Sequence, residues 1–356
     1  MGLVLARHWI SQEFLCQPTQ TTPLASGSDL PLMHNGRRTL GPLLNLGHIL
    51  MLKLHAITLM LLSTFGLIRC APDPLGADDI NSHYATPPTP LEAPLSIFHI
   101  GHSLVSRDMP AMLQQMTGEG HTYESQLGWG TSMREHWEAP GEPLKGGDVE
   151  NNHPRYREAH EAMESGDYDA LILTESVEIK DAIKYDHSWD YMARWIKKAR
   201  DANPDIRIFF YESWHNTDDQ EGWFNRVDRD LSRYWEGEIM DRTMAVEGAD
   251  VPIYLIPAGQ VMANFLRKVE AKGGVEGISG IDALFSDTIH VNDLGFYLVA
   301  LTHYAVIYGQ DPINVPRQLK RADGTPADAP SEEAAALMKE AAWEVVTSLP
   351  RTGVKP

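Results

Sequence analysis

The chain has 356 residues, of which 43% are hydrophobic and 22% charged, with a formal net charge of −19 at pH 7. This composition is typical of a soluble globular protein and argues against fibrous, disordered and polytopic membrane classes. The acidic excess argues against nucleic acid as a partner, which needs a dense basic patch, and it disfavours strongly anionic substrates. Both cysteines, Cys16 and Cys70, lie near the N-terminus. The rest of the chain therefore has no disulfide framework, cysteine metal site or cysteine nucleophile.

The N-terminal region has the pattern of an export signal. Residues 1–50 show no clear periodicity and are interpreted as an extension without assigned structure, translation starting at Met51 or Met33. Residues 51–71 place Lys53 before a short apolar run, 56–68. That run has the length of a signal-peptide core and is too short for a comfortable membrane span of about 20 residues. We expect the protein to be exported.

Two features after this run refine the expectation. Leu67-Ile68-Arg69-Cys70 is similar to a lipobox, which predicts a lipid on Cys70 and a membrane tether. Arg69 stands where such motifs usually carry a small residue, so a plain secreted or periplasmic protein remains the alternative. Residues 72–94 contain six prolines and are predicted to form an extended linker.

Short apolar runs alternate with helical patterns through the rest of the chain. The predicted strands are residues 95–100, 121–127, 168–174, 207–211 and 251–256. The predicted helices are residues 154–165, 189–202, 225–240 and 292–308, the last with Asn292 or Asp293 as N-cap. Continuous apolar strands separated by helices predict an α/β fold, a three-layer α/β/α sandwich with a mostly parallel sheet. This domain spans residues 95–312. Residues 313–356 are predicted to be a linker followed by a surface helix at 331–348.

Two short motifs indicate nucleophilic catalysis. The first predicted strand ends in Gly101-His102-Ser103-Leu104, where a glycine permits a tight turn and a serine hydroxyl projects from the sheet edge. Far downstream, Asp287-Thr288-Ile289-His290 directly precedes the last helix of the domain. A serine needs a base to remove its proton, and histidine oriented by a carboxylate suits that task. Their joint occurrence in this order predicts Ser103 as nucleophile, His290 as base and Asp287 as its orienting acid.

These motifs resemble those of the SGNH (GDSL-like) hydrolase superfamily over residues 95–310. Gly101-His102-Ser103-Leu104 is similar to the GDSL block, with His102 in place of its aspartate, and Asp287–His290 is similar to the DxxH block. The resemblance implies a flavodoxin-like fold, ester hydrolysis and the same three catalytic residues. The absence of G-x-S-x-G argues against the α/β-hydrolase fold.

The resemblance also implies donors for an oxyanion. The Ser103 amide and a glycine after the second strand, Gly130 with Gly128 as the alternative, are expected to supply N–H groups. The family's asparagine after the third strand is absent, and Thr174-Glu175-Ser176 stands in its place. Three alternatives remain for the group of donors around the oxyanion, the oxyanion hole. Either Ser176 or Thr174 donates a hydrogen bond in place of the asparagine, or Glu175 is protonated, or the oxyanion hole uses backbone N–H donors alone.

Aromatic residues follow several predicted strands and suggest a substrate rim. Flat aromatic faces can stack on sugar rings, although tryptophans at sheet ends also pack loops. The residues assigned to substrate binding are Trp129, Trp214, His102 and Glu175. The histidines His136, His153, His160 and His187 do not have the spacing of HExxH or a similar motif. The sequence therefore predicts neither a metal site nor a cofactor.

Together these patterns predict an exported carboxylic-ester hydrolase acting on small-molecule or glycan esters, specifically O-acetylated carbohydrate or glycoconjugate. Two alternatives stay open at this point. One is an acyltransferase that uses the same triad to acylate an acceptor sugar. The other is a catalytically silent carbohydrate-binding protein that kept the scaffold, which the missing asparagine would favour.

Overall fold

The computed structural model describes residues 71–91 and 94–356 of the chain. The predictions for residues 1–70, namely the N-terminal extension, the signal sequence and the lipidated Cys70, lie outside the described residues. Among the residues that the model describes, no helix is both long enough and apolar enough to span a membrane.

Strands and helices alternate along the chain. The strands are β1 Ser96–His102, β2 Thr122–Gly128, β3 Ala170–Thr174, β4 Arg207–Glu212 and β5 Ile253–Pro257. The α-helices of four or more residues in the described part of the chain are α1 Ala77–Tyr84, α2 Asp108–Thr117, α3 Met133–Glu138, α4 Gly147–Glu150, α5 Ala159–Ser165, α6 Ser188–Ala202, α7 Trp223–Asp230, α8 Ala258–Ala271, α9 Asp293–Tyr308 and α10 Glu332–Ser348. A short helical turn, Ile179–Asp181, and a π-helical segment, Ala182–Asp186, precede α6. Helix α7 continues as a π-helical segment, Leu231–Asp241, before a last turn at Arg242–Met244.

The five strands form one parallel sheet in the order β2-β1-β3-β4-β5. The predicted α/β class with a parallel sheet is confirmed. All five predicted strands exist, and no strand end differs from its prediction by more than two residues. Asn292 is the N-cap of α9, and its side chain accepts hydrogen bonds from the backbone N–H groups of Leu294 and Gly295.

Alternate side chains of the buried strands enter two separate hydrophobic cores. In β1, Ile97 packs with α2, α8 and α9 on one face of the sheet, whereas Phe98 and Ile100 pack with α5 and α6 on the other. Because both faces are covered, every residue of β3 is buried. This is why β3 appears in the sequence as a continuous apolar run instead of an alternating one.

The C-terminal helix α10 differs from its prediction as a peripheral surface helix. One face of it is part of the first core, with Met338, Ala341 and Val346 among its buried side chains. Five alanines within Glu332–Ser348 allow close approach to α8 and α9. Small side chains hide this burial in the sequence, since they produce a weaker apolar pattern than leucine or isoleucine would.

The described part of the predicted linker also differs from an extended tether. Helix α1 lies between Pro74 and Pro87, which flank it without interrupting it. The hydroxyl of Tyr84 donates to the carbonyl of Ile253 at 2.7 Å, and His83 contacts Asp250 at 3.1 Å. Both partners lie at or before the start of β5, so the segment packs on the amino edge of the sheet.

The topology determines where a ligand can bind. In the sheet, β2 lies on one side of β1 and β3 lies on the other. The connection that leaves β1 and the connection that leaves β3 therefore run in opposite directions along the sheet, which makes the gap between β1 and β3 a switch point. In open α/β sheets, ligands bind beyond the carboxyl ends of the strands at such a switch point. Ser103 follows β1 directly, and Glu175, Ser176 and Val177 follow β3.

Candidate active site

The turn that carries Ser103, the candidate nucleophile, begins where β1 ends. The backbone N–H groups of Val105 and Ser106 both donate to the carbonyl of His102, which closes a tight turn around Ser103. Gly101 has to be a glycine here, because a Cβ atom would lie 2.6 Å from the Val105 side chain and 3.1 Å from Thr174. The turn directs the Ser103 hydroxyl into a cavity at the carboxyl edge of the sheet.

The structure brings together the three residues that the sequence predicts as a triad. Nε2 of His290 lies 3.0 Å from Oγ of Ser103, and Nδ1 of His290 lies 2.7 Å from Oδ2 of Asp287. The other oxygen of Asp287 accepts the backbone N–H groups of His290 at 2.7 Å and Ile289 at 2.8 Å. These backbone hydrogen bonds, followed by the one to the imidazole, lower the pKa of Asp287 to about 2. An ionised carboxylate keeps the proton on Nδ1, which leaves Nε2 free to accept the serine proton.

The loop after β4 supports the turn that carries the acid and the base. The indole N–H of Trp214 donates to the carbonyl of Ile289 at 2.7 Å, and the backbone N–H of Thr217 donates to that of Thr288 at 2.8 Å. Trp214 is 1% exposed and does not line the cavity. This placement removes Trp214 from the side chains that can contact a substrate there; it holds the backbone between Asp287 and His290 instead.

The candidate oxyanion donors fall into two groups. Ser103 and Gly130 both line the cavity, and Gly130 has φ +60°, a conformation that glycine adopts readily. Ser176, Thr174 and the alternative glycine, Gly128, are not among the lining residues. Of the alternatives left open by the sequence, this arrangement favours a hole that uses backbone donors.

Glu175 is turned away from the nucleophile. Its side chain is completely buried, and Oε1 accepts the backbone N–H groups of Ser176 at 2.7 Å and Met133 at 3.4 Å. Burial raises the pKa of Glu175 to about 7. A carboxyl in this position does not line the cavity and cannot bind a substrate there. The repulsion between an ionised glutamate and an oxyanion, expected if Glu175 faced the site, is thereby avoided.

His102 links the two strands that flank the switch point. Nε2 of its ring lies 2.9 Å from the carbonyl of Glu175, while the backbone N–H of Leu104 donates to Nδ1 at 3.3 Å. Burial lowers the pKa of His102 to about 4, so the ring is neutral at pH 7 and donates through Nε2. Its edge borders the cavity, but both ring nitrogens are engaged with the backbone. We therefore assign His102 to holding the nucleophile turn against β3.

The cavity around Ser103 has a volume of about 570 Å³. Trp129 lines it and is 45% exposed, and its indole N–H donates to Glu150 at 2.9 Å. One edge of the ring lies on Gly146, where a Cβ atom would approach the indole to 2.2 Å. The structure thus places the aromatic surface of Trp129 in the same cavity as Ser103; its role in substrate binding stays a prediction.

Several lining residues escaped the sequence analysis. Lys145 and Glu150 reach the cavity from the segment between α3 and α5, and Val177 and Phe296 line it from the loop after β3 and from α9. The rule that residues directly after a strand meet at the carboxyl edge could have identified Val177. Lys145 and Glu150 had no comparable signal. Within residues 71–91 and 94–356, no group of three or more His, Cys, Asp or Glu side chains is arranged to hold a metal ion.

The buried acid Glu175 predicts a specific pH dependence of stability. Its pKa of about 7 in the folded protein exceeds its ordinary value of 4.5, so the folded protein retains a proton that the unfolded chain releases between these values. The stabilisation is complete below pH 4.5 and is lost as the pH rises through 7, by about 3 kcal/mol in total. Glu175→Gln, which mimics the neutral acid, should lack this loss.

Urea unfolding of both proteins at several pH values between about 5 and 8 measures the effect. The quantity to compare is the difference in unfolding free energy between the two proteins at each pH. Burial also raises the pKa of Glu212, to about 8, and the difference removes this contribution because Glu212 is present in both proteins. A difference in unfolding free energy that stays constant with pH would contradict the prediction.

Comparison with known proteins gives only distant matches. No family model matches the chain, and no curated protein matches it. Among solved structures, it is similar to a DUF4886 family protein from Bacteroides uniformis, with 17% identity, a TM-score of 0.47, and coverage of 71% of this chain and 94% of that one. It is also similar to a "putative GDSL-like lipase" from Parabacteroides merdae, with 11% identity, a TM-score of 0.39, and coverage of 62% and 97%. At these scores neither match bears on activity.

Proposed function

We propose that this protein is an exported serine hydrolase of carboxylic esters, with Ser103 as nucleophile, His290 as base and Asp287 as the orienting acid. The observation that supports it most is the chain of two hydrogen bonds, 3.0 Å from Ser103 to His290 and 2.7 Å from His290 to Asp287. Ser103 lines a cavity, and Nε2 of His290 faces the serine hydroxyl while Nδ1 faces the Asp287 carboxylate. These are the requirements for an activated nucleophile.

The reaction proceeds in two halves. Nε2 of His290 takes the Ser103 proton while Oγ forms a bond to the ester carbonyl carbon, and the backbone N–H groups of Ser103 and Gly130 stabilise the oxyanion. Such donors contribute about 2.7–4 kcal/mol each. The imidazolium then protonates the leaving alcohol oxygen as the ester bond breaks, which leaves an acyl-serine. Water next gives a proton to Nε2 and attacks the acyl carbon. The imidazolium then returns that proton to Oγ as the acyl–Oγ bond breaks, which releases the acid and restores Ser103 and His290.

The proposed substrate is an O-acetyl ester of a carbohydrate or glycoconjugate. Trp129 supports this choice, because a fixed and half-exposed indole beside the nucleophile suits stacking on a pyranose ring. Trp129→Ala should raise KM for an acetylated saccharide about tenfold, while turnover of p-nitrophenyl acetate changes little. Steady-state kinetics on both esters measures this. Tyr185→Ala, at an exposed aromatic away from the cavity, is the control and should leave both unchanged.

The test of the activity itself is labelling with a fluorophosphonate probe, followed by a panel of acyl esters. We expect labelling of the wild-type protein and release of free acid. Labelling with transfer of the acyl group to an added acceptor sugar would identify an acyltransferase instead. No labelling and no turnover would indicate a silent binding protein. Export rests on residues 51–71 of the sequence, and intact protein in the cytoplasmic fraction would contradict it.

A further inference from the structure

A buried arginine lies behind the candidate active site without touching it. The side chain of Arg226, in α7, is 2% exposed. Its Nε donates to Asp230 at 2.5 Å, its Nη1 to Asp219 at 2.6 Å, and its Nη2 to both carboxylate oxygens of Glu178 at 2.8 Å. We call these four residues the Arg226 cluster. A planar guanidinium can satisfy three carboxylates at once because its donors form a rigid fork.

The cluster joins the loop after β3, which borders the cavity, to the loop after β4. Glu178 belongs to the loop after β3 and follows Val177, which lines the cavity. Asp219 belongs to the loop after β4. Two members of that same loop, Trp214 and Thr217, hold the carbonyls of the turn between Asp287 and His290. The guanidinium is therefore linked to the turn that carries His290 through the backbone of the loop after β4 and its two hydrogen bonds to that turn.

The turn that carries Asp287 and His290 needs hydrogen bonds from other segments to fix its position. The side chains of His290 and Asp287 are 42% and 54% exposed, so packing against their own surroundings fixes them only weakly. Their positions depend on the backbone of the turn, and this backbone is held by the loop after β4. Near-attack geometry is sensitive: a displacement of about 1 Å can cost about 100-fold in rate.

We propose that the Arg226 cluster positions the triad, by fixing the loop after β4 and with it the location of His290 relative to Ser103. This inference rests on the proposed ester hydrolysis. Arg226 is a positioning residue, because its contacts are with carboxylates of the loops and of its own helix. Weakening the cluster should lower kcat, since the base moves, and should leave KM nearly unchanged, since the cavity walls remain.

Asp219→Asn is the most direct test. The asparagine keeps the oxygen that accepts the backbone N–H of Glu221 at 2.8 Å, but places an amide donor against the guanidinium. Glu178 and Asp230 remain to neutralise Arg226. Asp228→Asn is the matched control. Asp228 lies on the same helix as Arg226, α7, but its side chain is half exposed and pairs with Arg267, which is outside the cluster.

We expect Asp219→Asn to lower two rates about tenfold: kcat for p-nitrophenyl acetate and the rate of fluorophosphonate labelling. KM for p-nitrophenyl acetate should stay within about twofold of the wild-type value. Asp228→Asn should have the wild-type kcat, KM and labelling rate. Circular dichroism at the assay temperature establishes that each variant is folded. If Asp219→Asn does not fold, Arg226→Lys replaces it, because an ammonium keeps the buried charge but cannot span three carboxylates, and the same loss of kcat is expected.

A second variant tests the path from the loop to the turn. Trp214→Phe keeps an aromatic ring in place and removes the N–H that donates to Ile289. Combined with Asp219→Asn, it should lower kcat by less than the product of the two single effects, since both act through one loop. Folded cluster variants with wild-type kcat, or with a raised KM alone, would overturn the positioning role. Wild-type protein without labelling or hydrolysis would instead refute the proposed function itself.

Discussion

Replacing the Ser103 hydroxyl should abolish both hydrolysis and probe labelling. Ser103→Ala removes the oxygen that lies 3.0 Å from Nε2 of His290, and without it no acyl-serine can form. Members of a triad act as a unit, so a loss of at least about 10⁴-fold in kcat is expected. The residual rate would come from the oxyanion donors acting on direct attack by water. Turnover of p-nitrophenyl acetate and mass spectrometry of the labelled protein measure it.

Ser106 supplies a matched control for this substitution. It lines the same cavity, but no hydrogen bond connects its hydroxyl to His290. Its φ of +55° suits glycine better than alanine, so Ser106→Gly removes a second cavity hydroxyl without strain. This variant should keep wild-type labelling. Equal activity of Ser103→Ala and wild type would end the assignment of the nucleophile, whatever the activity of Ser106→Gly.

Asp287→Asn should reduce activity by about 10³-fold or more while leaving the fold intact. The asparagine oxygen can still accept the N–H groups of Ile289 and His290, so the turn persists. Its amide nitrogen, however, replaces the oxygen that faces Nδ1 of His290 at 2.7 Å, and a donor there moves the imidazole proton to Nε2. In that tautomer the ring donates toward Ser103 and cannot act as its base.

The pKa of Asp287 defines the conditions for this measurement. Because its pKa is lowered to about 2, the wild-type carboxylate is ionised at every pH from about 4 upward, and the variant differs from it throughout that range. Kinetics with p-nitrophenyl acetate at about pH 7 therefore compare one charged and one neutral partner directly. Asp282→Asn, an exposed aspartate five residues earlier, should retain wild-type rates. A similar loss in both variants would show that the effect is not specific to the orienting acid.

Sequence patterns were sufficient for the fold class and for identifying Ser103, His290 and Asp287 as three side chains that lie together in the structure. β3, β4 and β5 are buried almost throughout and appear in the sequence as apolar runs, and the end of β1 at His102 places Ser103 at a strand terminus. The Asp287 and His290 pair lies within a single turn, where backbone geometry alone brings carboxylate and imidazole together. The N-cap at Asn292 is equally local. Such features depend on residues within a few positions of one another.

Tertiary structure alone decided how the distant segments meet. The direction of the Glu175 side chain depends on its hydrogen bond from the backbone N–H of Met133 and on the backbone that follows β3. Trp214 lies outside the cavity because its indole N–H donates to the carbonyl of Ile289, 75 residues away. The burial of α10 needs α8 and α9 to be in place. The Arg226 cluster joins carboxylates from two loops that the sequence separates by about 40 residues. Periodicity reports which face of an element is buried, but a contact between elements depends on the crossovers that bring them together, and no local pattern contains that information.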